Sequence, residues 1–393
     1  MKLAIYGGSF NPPHLAHARL AELAYKHLKP DTMLIIPAAS PPHKKLAENS
    51  PKNDERLHLT RLAFEGYRFA EVSEIEILRG VKSYTSDTVM QLKMDYPGAE
   101  ITLILGSDML LEFKTWHKFD WLLSNVSLLV LTREKDEGEK LKAFASKLKK
   151  EHGASIDFIM SDALVMSSGE IRAQLPNRKG NDKLNSLVYE EIIKKRFYAA
   201  KPNLLWLFDE CRRFISPARL SHVKGCMTEA VSLAKRWGAD EDLAAEAAIL
   251  HDITKKLTYD EHLLLGNKYA IIFDEFQLKN VKLMHAITGA MLASDLFGIS
   301  SEVKNTIRWH TTGRADMSLL EKIIYLADFI EPTRDFEEVV ELRELAYKDI
   351  DAAMLKGLTI SLKELNNNGI SPDTSTLDAI RWYGGESIEI IRR

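Results

Sequence analysis

The order of apolar and polar residues divides the chain into two halves of different character. In the first half, short apolar runs alternate with amphipathic helical patterns; the runs are KLAIYGG, TMLIIPAA, ITLILGSD and SLLVLTR, and the helical patterns include ARLAELAYKHL and ERLHLTRLAFEG. Such alternation predicts parallel strands joined by crossover helices. We therefore expect a doubly wound α/β domain with a parallel sheet, whose ligand lies beyond the carboxyl ends of the strands.

The second half, after about Ala199, lacks strand patterns. Its amphipathic runs, among them MTEAVSLAKRW, LAAEAAILHDI and LLEKIIYLADFI, predict an all-α domain. Pro202 interrupts two helical patterns within FYAAKPNLL, which places the boundary there. The expected domains are residues 1–199 and 203–393.

Composition narrows the function class. A chain of 393 residues exceeds one ordinary hydrophobic core, which agrees with two domains. The formal charge of -3 disfavours a broad basic surface for nucleic acid and favours a small anionic substrate. Two cysteines, Cys211 and Cys226, show no metal-ligand or redox spacing, and no apolar stretch approaches the roughly 20 residues that span a bilayer. We expect a cytoplasmic protein without a membrane or nucleic-acid partner; a homo-oligomer is allowed.

The stretch GGSFNPPHLAH follows the first predicted strand directly. Gly7 and Gly8 allow close approach of the backbone, and the two prolines suit the entry of a helix. His14 and His17, three residues apart, would share one face of its first turn. Helix N-termini attract phosphates, so the stretch predicts a phosphate site, although the spacing alone leaves a structural role for the two histidines equally open. It is neither a Walker loop nor a dinucleotide fingerprint.

The same stretch resembles the GG(T/S)F(D/N)PxHxGH signature of the nucleotidyltransferase superfamily. Further segments resemble nicotinate mononucleotide adenylyltransferases over roughly residues 1–198: PPHKK at 41–45, SYTSDT at 83–88, GSDMLLEFKTWHKF from 106 and VMSSGEIR at 165–172. The resemblance implies a Rossmann-like fold and transfer of an adenylyl group from ATP to nicotinate mononucleotide, with Mg²⁺ bound alongside ATP. The chain departs from the family at Ala16 and Gly169, where relatives have glycine and threonine; we expect the loss of a hydroxyl at Gly169 to weaken phosphate binding.

The resemblance also assigns roles to single residues. His14, His17 and Arg172 would act on the triphosphate, Trp116 would stack on the pyridine ring and Thr85 would recognise its carboxylate. For Trp116, a role as a buried packing residue stays open. The implied substrate-binding residues of this half are Gly7, Gly8, Ser9, Phe10, Lys44, Thr85, Gly106, Asp108, Trp116, Ser167 and Ser168.

A second candidate site lies in the helical half. His251 is followed by Asp252 inside the apolar run LAAEAAILHDI, where an unpaired carboxylate would be costly, and a metal cation offers it a partner. With His222 and Asp328 the order H…HD…D extends over about 107 residues. The ligands must then converge from several helices.

This order resembles the HD superfamily of metal-dependent phosphohydrolases. WHTTGRADMSLLEKIIYLADFIEPTRDF, at 309–336, is similar to bacterial HD proteins that split diadenosine tetraphosphate symmetrically, and the likeness covers roughly 205–393. The resemblance implies one or two divalent transition-metal ions, with iron favoured. It also implies that the first ion is bound by His222, His251, Asp252 and Asp328, and that Asp252 is catalytic as well. Substrate contacts would come from Lys255, His285, His310, Thr311 and Arg334, and His285 and His310 are alternatively ligands of a second ion. His262 matches no ligand position, and Val223 departs from the small hydroxyl residue common in the family.

Together the two resemblances imply a bifunctional enzyme that makes deamido-NAD from ATP and nicotinate mononucleotide and hydrolyses diadenosine tetraphosphate to two ADP. One alternative is a transferase half that has decayed to a nucleotide sensor. Another is a phosphohydrolase that acts on a different nucleotide, such as a guanosine alarmone.

Overall fold

The structure is a computed structural model that describes residues 1–40, 46–132, 138–160 and 166–384. The chain forms two compact units, Met1–Lys201 and Pro202–Arg393. The division falls in the AAKPN stretch, between the expected domain limits at 199 and 203.

A parallel six-stranded sheet forms the core of the first unit, with its strands in the order β3 (Ala70–Val72), β2 (Thr32–Pro37), β1 (Lys2–Gly8), β4 (Glu100–Gly106), β5 (Ser127–Thr132) and β6 (Ser155–Met160). In the centre Tyr6 of β1 pairs with Ile35 of β2 and Ile104 of β4. Both faces are covered by helices, which explains why the strands read as continuous apolar runs. The doubly wound α/β fold is therefore confirmed. Because the chain order reverses between β1 and β4, the crevice at their carboxyl ends is where such folds bind ligands.

The elements of the first unit follow in chain order. They are β1 (Lys2–Gly8), α1 (Leu15–Leu28), β2 (Thr32–Pro37), α2 (Asn53–Ala63), β3 (Ala70–Val72), α3 (Ile75–Arg79), α4 (Thr85–Asp95), β4 (Glu100–Gly106), α5 (Ser107–Leu111), α6 (Phe119–Asn125), β5 (Ser127–Thr132), α7 (Gly138–His152), β6 (Ser155–Met160), α8 (Ser168–Gln174) and α9 (Ser186–Lys195).

The described residues of the second unit form helices and connecting loops without a strand, as the apolar periodicity predicts. Its helices are α10 (Leu204–Cys211), α11 (Leu220–Trp237), α12 (Glu241–Leu250), α13 (Tyr259–Lys268), α14 (Glu275–Lys279), α15 (Val281–Phe297), α16 (Ser301–Trp309), α17 (Leu319–Ile330), α18 (Val339–Lys348), α19 (Ile350–Asn367) and α20 (Thr374–Trp382).

Local signals fix the ends of the helices that carry the second candidate site. The Asp240 side chain accepts from two backbone N–H groups at the start of α12, and Ser318 and Glu321 form a capping box at the start of α17. Gly238 ends α11 with a φ of 77°, a conformation that favours glycine. Among the helices that the structure describes, none has both the length and the apolar character needed to cross a bilayer.

Candidate active sites

The loop after β1 leads directly into the first turn of α1. Phe10 in this loop is buried and adopts a φ of 42°, with its ring edge-on to that of His17 at 5.0 Å. A side chain at Gly8 would place its Cβ 3.2 Å from the Phe10 ring, so the glycine gives that ring its space. The loop is thus built around an aromatic side chain at the carboxyl end of β1.

His14 and His17 stand together at the start of α1, which begins at Leu15. Their rings stack with centroids 3.7 Å apart, and the His14 backbone N–H donates to His17 Nδ1 at 3.1 Å. Because Nδ1 accepts, the neutral His17 ring carries its proton on Nε2, which makes that atom a donor suited to an anion. His14 is buried and His17 is partly buried.

The start of α8 lies beside the start of α1. Ser168 Oγ donates to the backbone oxygen of Pro12 at 3.0 Å, and Arg172 donates to that of Asn11 at 2.5 Å. Ser167 caps α8 by accepting from the Gly169 N–H. The two motifs, separated by about 156 residues of sequence, therefore meet at one place. Lys44 lies outside the described residues, as does the rest of PPHKK.

A cavity of about 380 Å³ adjoins the glycine loop. Trp116 lines it, partly buried, with its ring stacked on Phe113 at 4.7 Å. Thr85, at the start of α4, and Asp108 line it as well. A Cβ at Gly106 would fall 2.6 Å from Asp108 Oδ1, so that glycine lets the carboxylate come close. The predicted residues that line this cavity are Gly7, Gly8, Ser9, Thr85, Asp108 and Trp116.

Two buried charged residues in this unit, Arg56 and Glu76, are not predicted as site residues by the sequence. Arg56 on α2 donates to the backbone oxygens of Ser9, Ala38 and Ala39. Glu76 on α3 lines the cavity and accepts from Thr88 Oγ1 at 2.7 Å. The sequence does contain one sign that Arg56 is buried, because it lies on the same helical face as the apolar Leu59 and Ala63. The partners of Arg56 and Glu76, however, are brought to them only by the tertiary fold.

In the second unit, the four predicted metal ligands converge from α11, α17 and the end of α12. His222 Nε2 lies 3.2 Å from Asp328 Oδ1 and 3.3 Å from His251 Nε2. His251 Nε2 lies 3.4 Å from Asp252 Oδ2. All four side chains are buried or nearly so. An arrangement of imidazole nitrogens and carboxylate oxygens at this spacing fits a divalent transition metal.

His285 and His310 join the same cluster on the other side of Asp252. Their Nε2 atoms lie 3.1 Å apart, and they lie 3.1 and 3.6 Å from Asp252 Oδ1. Asp252 therefore contacts histidines through both of its carboxylate oxygens. Burial by itself raises the pKa of Asp252, but the surrounding histidines, His251 first, hold it well below its usual range.

The ring orientation of three histidines is fixed by backbone carbonyls. His251 Nδ1 contacts the oxygen of Ala248 at 2.7 Å, His285 Nδ1 that of Lys282 at 2.5 Å and His310 Nδ1 that of Ile307 at 2.7 Å. A carbonyl oxygen only accepts, so each Nδ1 carries a proton and each neutral ring directs an unprotonated Nε2 into the cluster. Burial lowers the pKa of His285 to about 3, which keeps that ring neutral. Nitrogen lone pairs gathered around a carboxylate in this way suit a shared cation.

Basic side chains border the cluster. Lys255 Nζ lies 3.4 Å from Asp252 Oδ1, and Arg334 contacts Asp328 Oδ1 at 2.6 Å. Arg219 donates to Asp252 Oδ2. The sequence does not predict this contact, although Arg219 precedes His222 by only three residues. The Thr311 hydroxyl is buried without a hydrogen-bond partner in the described part of the chain. His262 instead contacts Thr288 Oγ1 at 2.9 Å, in agreement with a packing role.

The sequence spacing predicts no metal-binding role for Cys226, yet the structure places its sulfur with the ligand atoms of His222, His251 and Asp328, all within 4.8 Å of one another. Burial, and then the neighbouring carboxylates, raise the pKa of the Cys226 thiol well above its ordinary value. Val223, beside His222, is fully buried.

Comparison with known proteins assigns a family to each unit. Residues 5–174 match the family described as cytidylyltransferase-like, and residues 219–333 match the HD domain. A protein of Carboxydothermus hydrogenoformans named "Probable nicotinate-nucleotide adenylyltransferase" is 35% identical over 198 residues, which cover 50% of this chain and 98% of that protein. The "Bis(5'-nucleosyl)-tetraphosphatase, symmetrical" of Halalkalibacterium halodurans is 41% identical over 160 residues, which cover 40% of this chain and 84% of that protein.

The chain belongs to the cytidylyltransferase-like family in its first unit and to the HD family in its second. A third relative, the "Probable nicotinate-nucleotide adenylyltransferase/Ap4A hydrolase" of Mycoplasma genitalium, is 26% identical over 376 residues, which cover 93% of this chain and 98% of that protein. The similarity thus includes a relative in which both names are joined in one chain. The membership expected from the two sets of motifs is confirmed, and the HD domain with its cluster of ligands indicates a divalent metal centre.

Proposed function

We propose that the first unit transfers the adenylyl group of ATP to nicotinate mononucleotide. The observation that carries this proposal is the meeting of the α1 and α8 starts beside the β1–β4 crevice. The phosphate of the mononucleotide attacks the α-phosphorus of ATP, the α–β bridging P–O bond breaks, and pyrophosphate leaves with that oxygen. His14, His17 and Arg172 supply donors and positive charge for the triphosphate, while Mg²⁺, when bound, neutralises its oxygens.

The cavity beside the loop is the place proposed for the nicotinate nucleotide. Trp116 offers an aromatic face there, and Thr85 at the start of α4 offers a hydroxyl and a backbone N–H to the pyridine carboxylate. The reaction needs positioning and charge stabilisation and no protein nucleophile. Gly169 in place of threonine leaves Ser167, Ser168 and Arg172 to contact the phosphates.

Purified protein with ATP, Mg²⁺ and nicotinate mononucleotide tests the first activity. We expect pyrophosphate and deamido-NAD in equal amounts, and His17→Ala to reduce turnover about 100-fold, the lower end of the range for a lost donor at a developing charge. Nicotinamide mononucleotide as a substrate tests recognition of the carboxylate. Nucleotide binding without pyrophosphate release would instead support the sensor alternative.

For the second unit we propose hydrolysis of diadenosine tetraphosphate into two ADP. The carrying observation is the cluster in which both oxygens of Asp252 face histidine Nε2 atoms. His222, His251, Asp252 and Asp328 would hold the ion, with iron or manganese suited to this donor set. When bound, such an ion activates water and polarises phosphoryl oxygens at neutral pH.

The residues around the cluster then have separate tasks. Lys255 and Arg219 bring positive charge to the polyphosphate, and His285 and His310 contact it or hold a second ion. Water adds its oxygen to one of the two middle phosphorus atoms, the central P–O–P bridge breaks, and a proton returns to the departing oxygen. Binding on both sides of the central bridge makes the cleavage symmetrical.

Product analysis by chromatography tests this proposal. Diadenosine tetraphosphate must give only ADP, whereas ATP with AMP would show asymmetric cleavage. A panel of other nucleotides that includes guanosine alarmones tests the alternative substrate class. Metal analysis of protein prepared without chelator identifies the ion.

A further inference from the structure

Glu331, at the end of α17, is a fully buried carboxylate outside the predicted ligand set. Its Oε1 lies 3.1 Å from His222 Nδ1. The Thr333 hydroxyl also donates to this oxygen, and the Thr333 N–H donates to Oε2 at 2.8 Å. The carboxylate is thus held with one oxygen directed at the ring of His222.

His222 differs in this respect from the other histidines of the cluster. His251, His285 and His310 each direct Nδ1 to the backbone oxygen three residues earlier. His222 directs Nδ1 to a carboxylate that is 109 residues away in sequence. A carboxylate is a stronger acceptor than a carbonyl, so it fixes the Nδ1–H tautomer more firmly and makes Nε2 a better donor to a metal.

A glycine makes the approach of Glu331 feasible. Gly225 follows His222 by three residues on α11, so both face the end of α17 from adjacent turns. A Cβ on Gly225 would lie 2.5 Å from Glu331 Oε2 and 3.3 Å from Pro332 Cδ. Glycine weakens a helix interior, so its position here has a packing reason, and the close carboxylate is that reason.

The end of α17 therefore holds both nitrogens of one imidazole. Asp328 Oδ1 lies 3.2 Å from His222 Nε2 while Glu331 Oε1 lies 3.1 Å from Nδ1. Arg334 contacts Asp328 at 2.6 Å and approaches Glu331 Oε1 to 3.7 Å, which supplies positive charge beside the two acids. The ring plane of His222 is thus fixed through both of its nitrogens.

We propose that Glu331 is a positioning residue that acts through His222 to set the metal affinity of the cluster, and that Gly225 gives it the required space. The inference rests on the metal centre of the proposed function. Loss of such outer partners typically lowers metal affinity by roughly 10–100-fold.

Calorimetric titration of Mn²⁺ into the chelator-treated full chain tests the proposal. We expect Glu331→Ala and Gly225→Ala each to raise the Kd for Mn²⁺ by roughly 10–100-fold, and Glu331→Gln, which keeps an oxygen acceptor, to raise it less. Glu321→Gln is the matched control, because Glu321 is another buried acid of α17 but pairs with Arg314 at 2.8 Å, away from the cluster. It must leave the Kd unchanged.

Each outcome decides one question. Wild-type affinity in both Glu331→Ala and Gly225→Ala, or an equal loss in Glu321→Gln, overturns the positioning role while the metal centre stands. Failure of the wild-type chain to bind Mn²⁺ overturns the proposed centre and the inference with it. If Glu331→Ala fails to fold, Glu331→Gln and Gly225→Ala carry the comparison, and a circular dichroism spectrum with wild-type helix content verifies that the helical unit of each variant is folded.

Discussion

Arg56→Met is the substitution whose effect the structure defines most completely in the first unit. The guanidinium is fully buried and donates to the backbone oxygens of Ser9 at 2.8 Å, Ala38 at 2.6 Å and Ala39 at 3.1 Å, as well as to Asn53 Oδ1 at 2.8 Å. One side chain thus ties the glycine loop after β1 to the segment after β2. Methionine fills similar volume and donates no hydrogen bond.

The magnitude follows from the groups left behind. Each backbone oxygen that stays buried without a donor costs about 1–3 kcal/mol, and three lose one here. Removing the buried charge offsets part of the loss, because a desolvated guanidinium is itself costly. Taking the lower value for each oxygen, we expect the free energy of unfolding of the first unit to fall by about 3 kcal/mol. Arg56→Lys keeps the charge but cannot reach all four acceptors, so its free energy of unfolding should lie between those of the wild type and Arg56→Met.

Urea inactivation measures this change in the full chain. With a urea dependence of about 2 kcal/mol per molar, a loss of 3 kcal/mol lowers the midpoint of pyrophosphate-releasing activity by about 1.5 M. Diadenosine tetraphosphate hydrolysis in the same samples reports on the second unit and should keep its midpoint. At low urea, the displaced loop should also raise the KM for ATP.

Two results would refute the reasoning. A midpoint within about 0.3 M of wild type, well inside the shift derived from the urea dependence, would mean that the three oxygens find other donors. An equal shift in the hydrolase midpoint would mean that the effect is not local to the contacts of Arg56.

Three further predictions address the two sites. Trp116→Ala should raise the KM for nicotinate mononucleotide about tenfold, the value of a lost aromatic stack, and leave the KM for ATP nearly unchanged; equal changes in both would contradict a pyridine contact. Asp252→Asn should lower metal content per chain and reduce diadenosine tetraphosphate hydrolysis at least about 100-fold without changing pyrophosphate release, and full metal content by elemental analysis would count against the ligand assignment. Burial raises the pKa of Glu76 above its ordinary 4.5, although the hydrogen bonds from Thr88 and Ser83 oppose the shift. The free energy of unfolding of the wild type therefore falls as the pH rises from about 4.5 through the pKa of the folded state. Glu76→Gln does not ionise at this position and does not show this fall. The urea midpoint of Glu76→Gln should gain on wild type between pH 5 and pH 8, and parallel pH profiles would show that burial does not act on this acid.

The fold was predictable because its signals are local. Strand and helix periodicities, with Pro202 between them, indicate the α/β and all-α halves without any knowledge of tertiary contacts. The helix that follows the glycine loop begins at Leu15, beside the two histidines that were expected in its first turn. Local rules of this kind act over a few residues, which is the range at which a sequence can be interpreted directly.

The supporting charges of both sites were not predictable in the same way. Arg56 meets Ser9 across 47 residues, and Glu331 meets His222 across 109. Neither distance leaves a spacing pattern, and although Arg56 shares a helical face with Leu59 and Ala63, nothing in the sequence indicates which groups it meets. The rule that an acid inside an apolar helix needs a partner points to Asp252, and the resemblance to HD proteins implies the rest of the ligand set, but neither gives information on Cys226.

Each of the two sites contains a glycine that lies close to a carboxylate. A Cβ at Gly106 would lie 2.6 Å from Asp108 Oδ1, and one at Gly225 would lie 2.5 Å from Glu331 Oε2. In both cases φ is not the reason for glycine, since neither residue has a positive φ; the reason is a carboxylate that approaches the backbone closely. At Gly106 and Gly225 glycine therefore makes room for a carboxylate, whereas at Gly8 it makes room for the Phe10 ring, and at Gly225 the carboxylate orders the ring of a metal ligand. Close approach restricts the carboxylate as well as the backbone, and this restriction is what allows an acid with no direct contact to the ion to influence how tightly the ion is held.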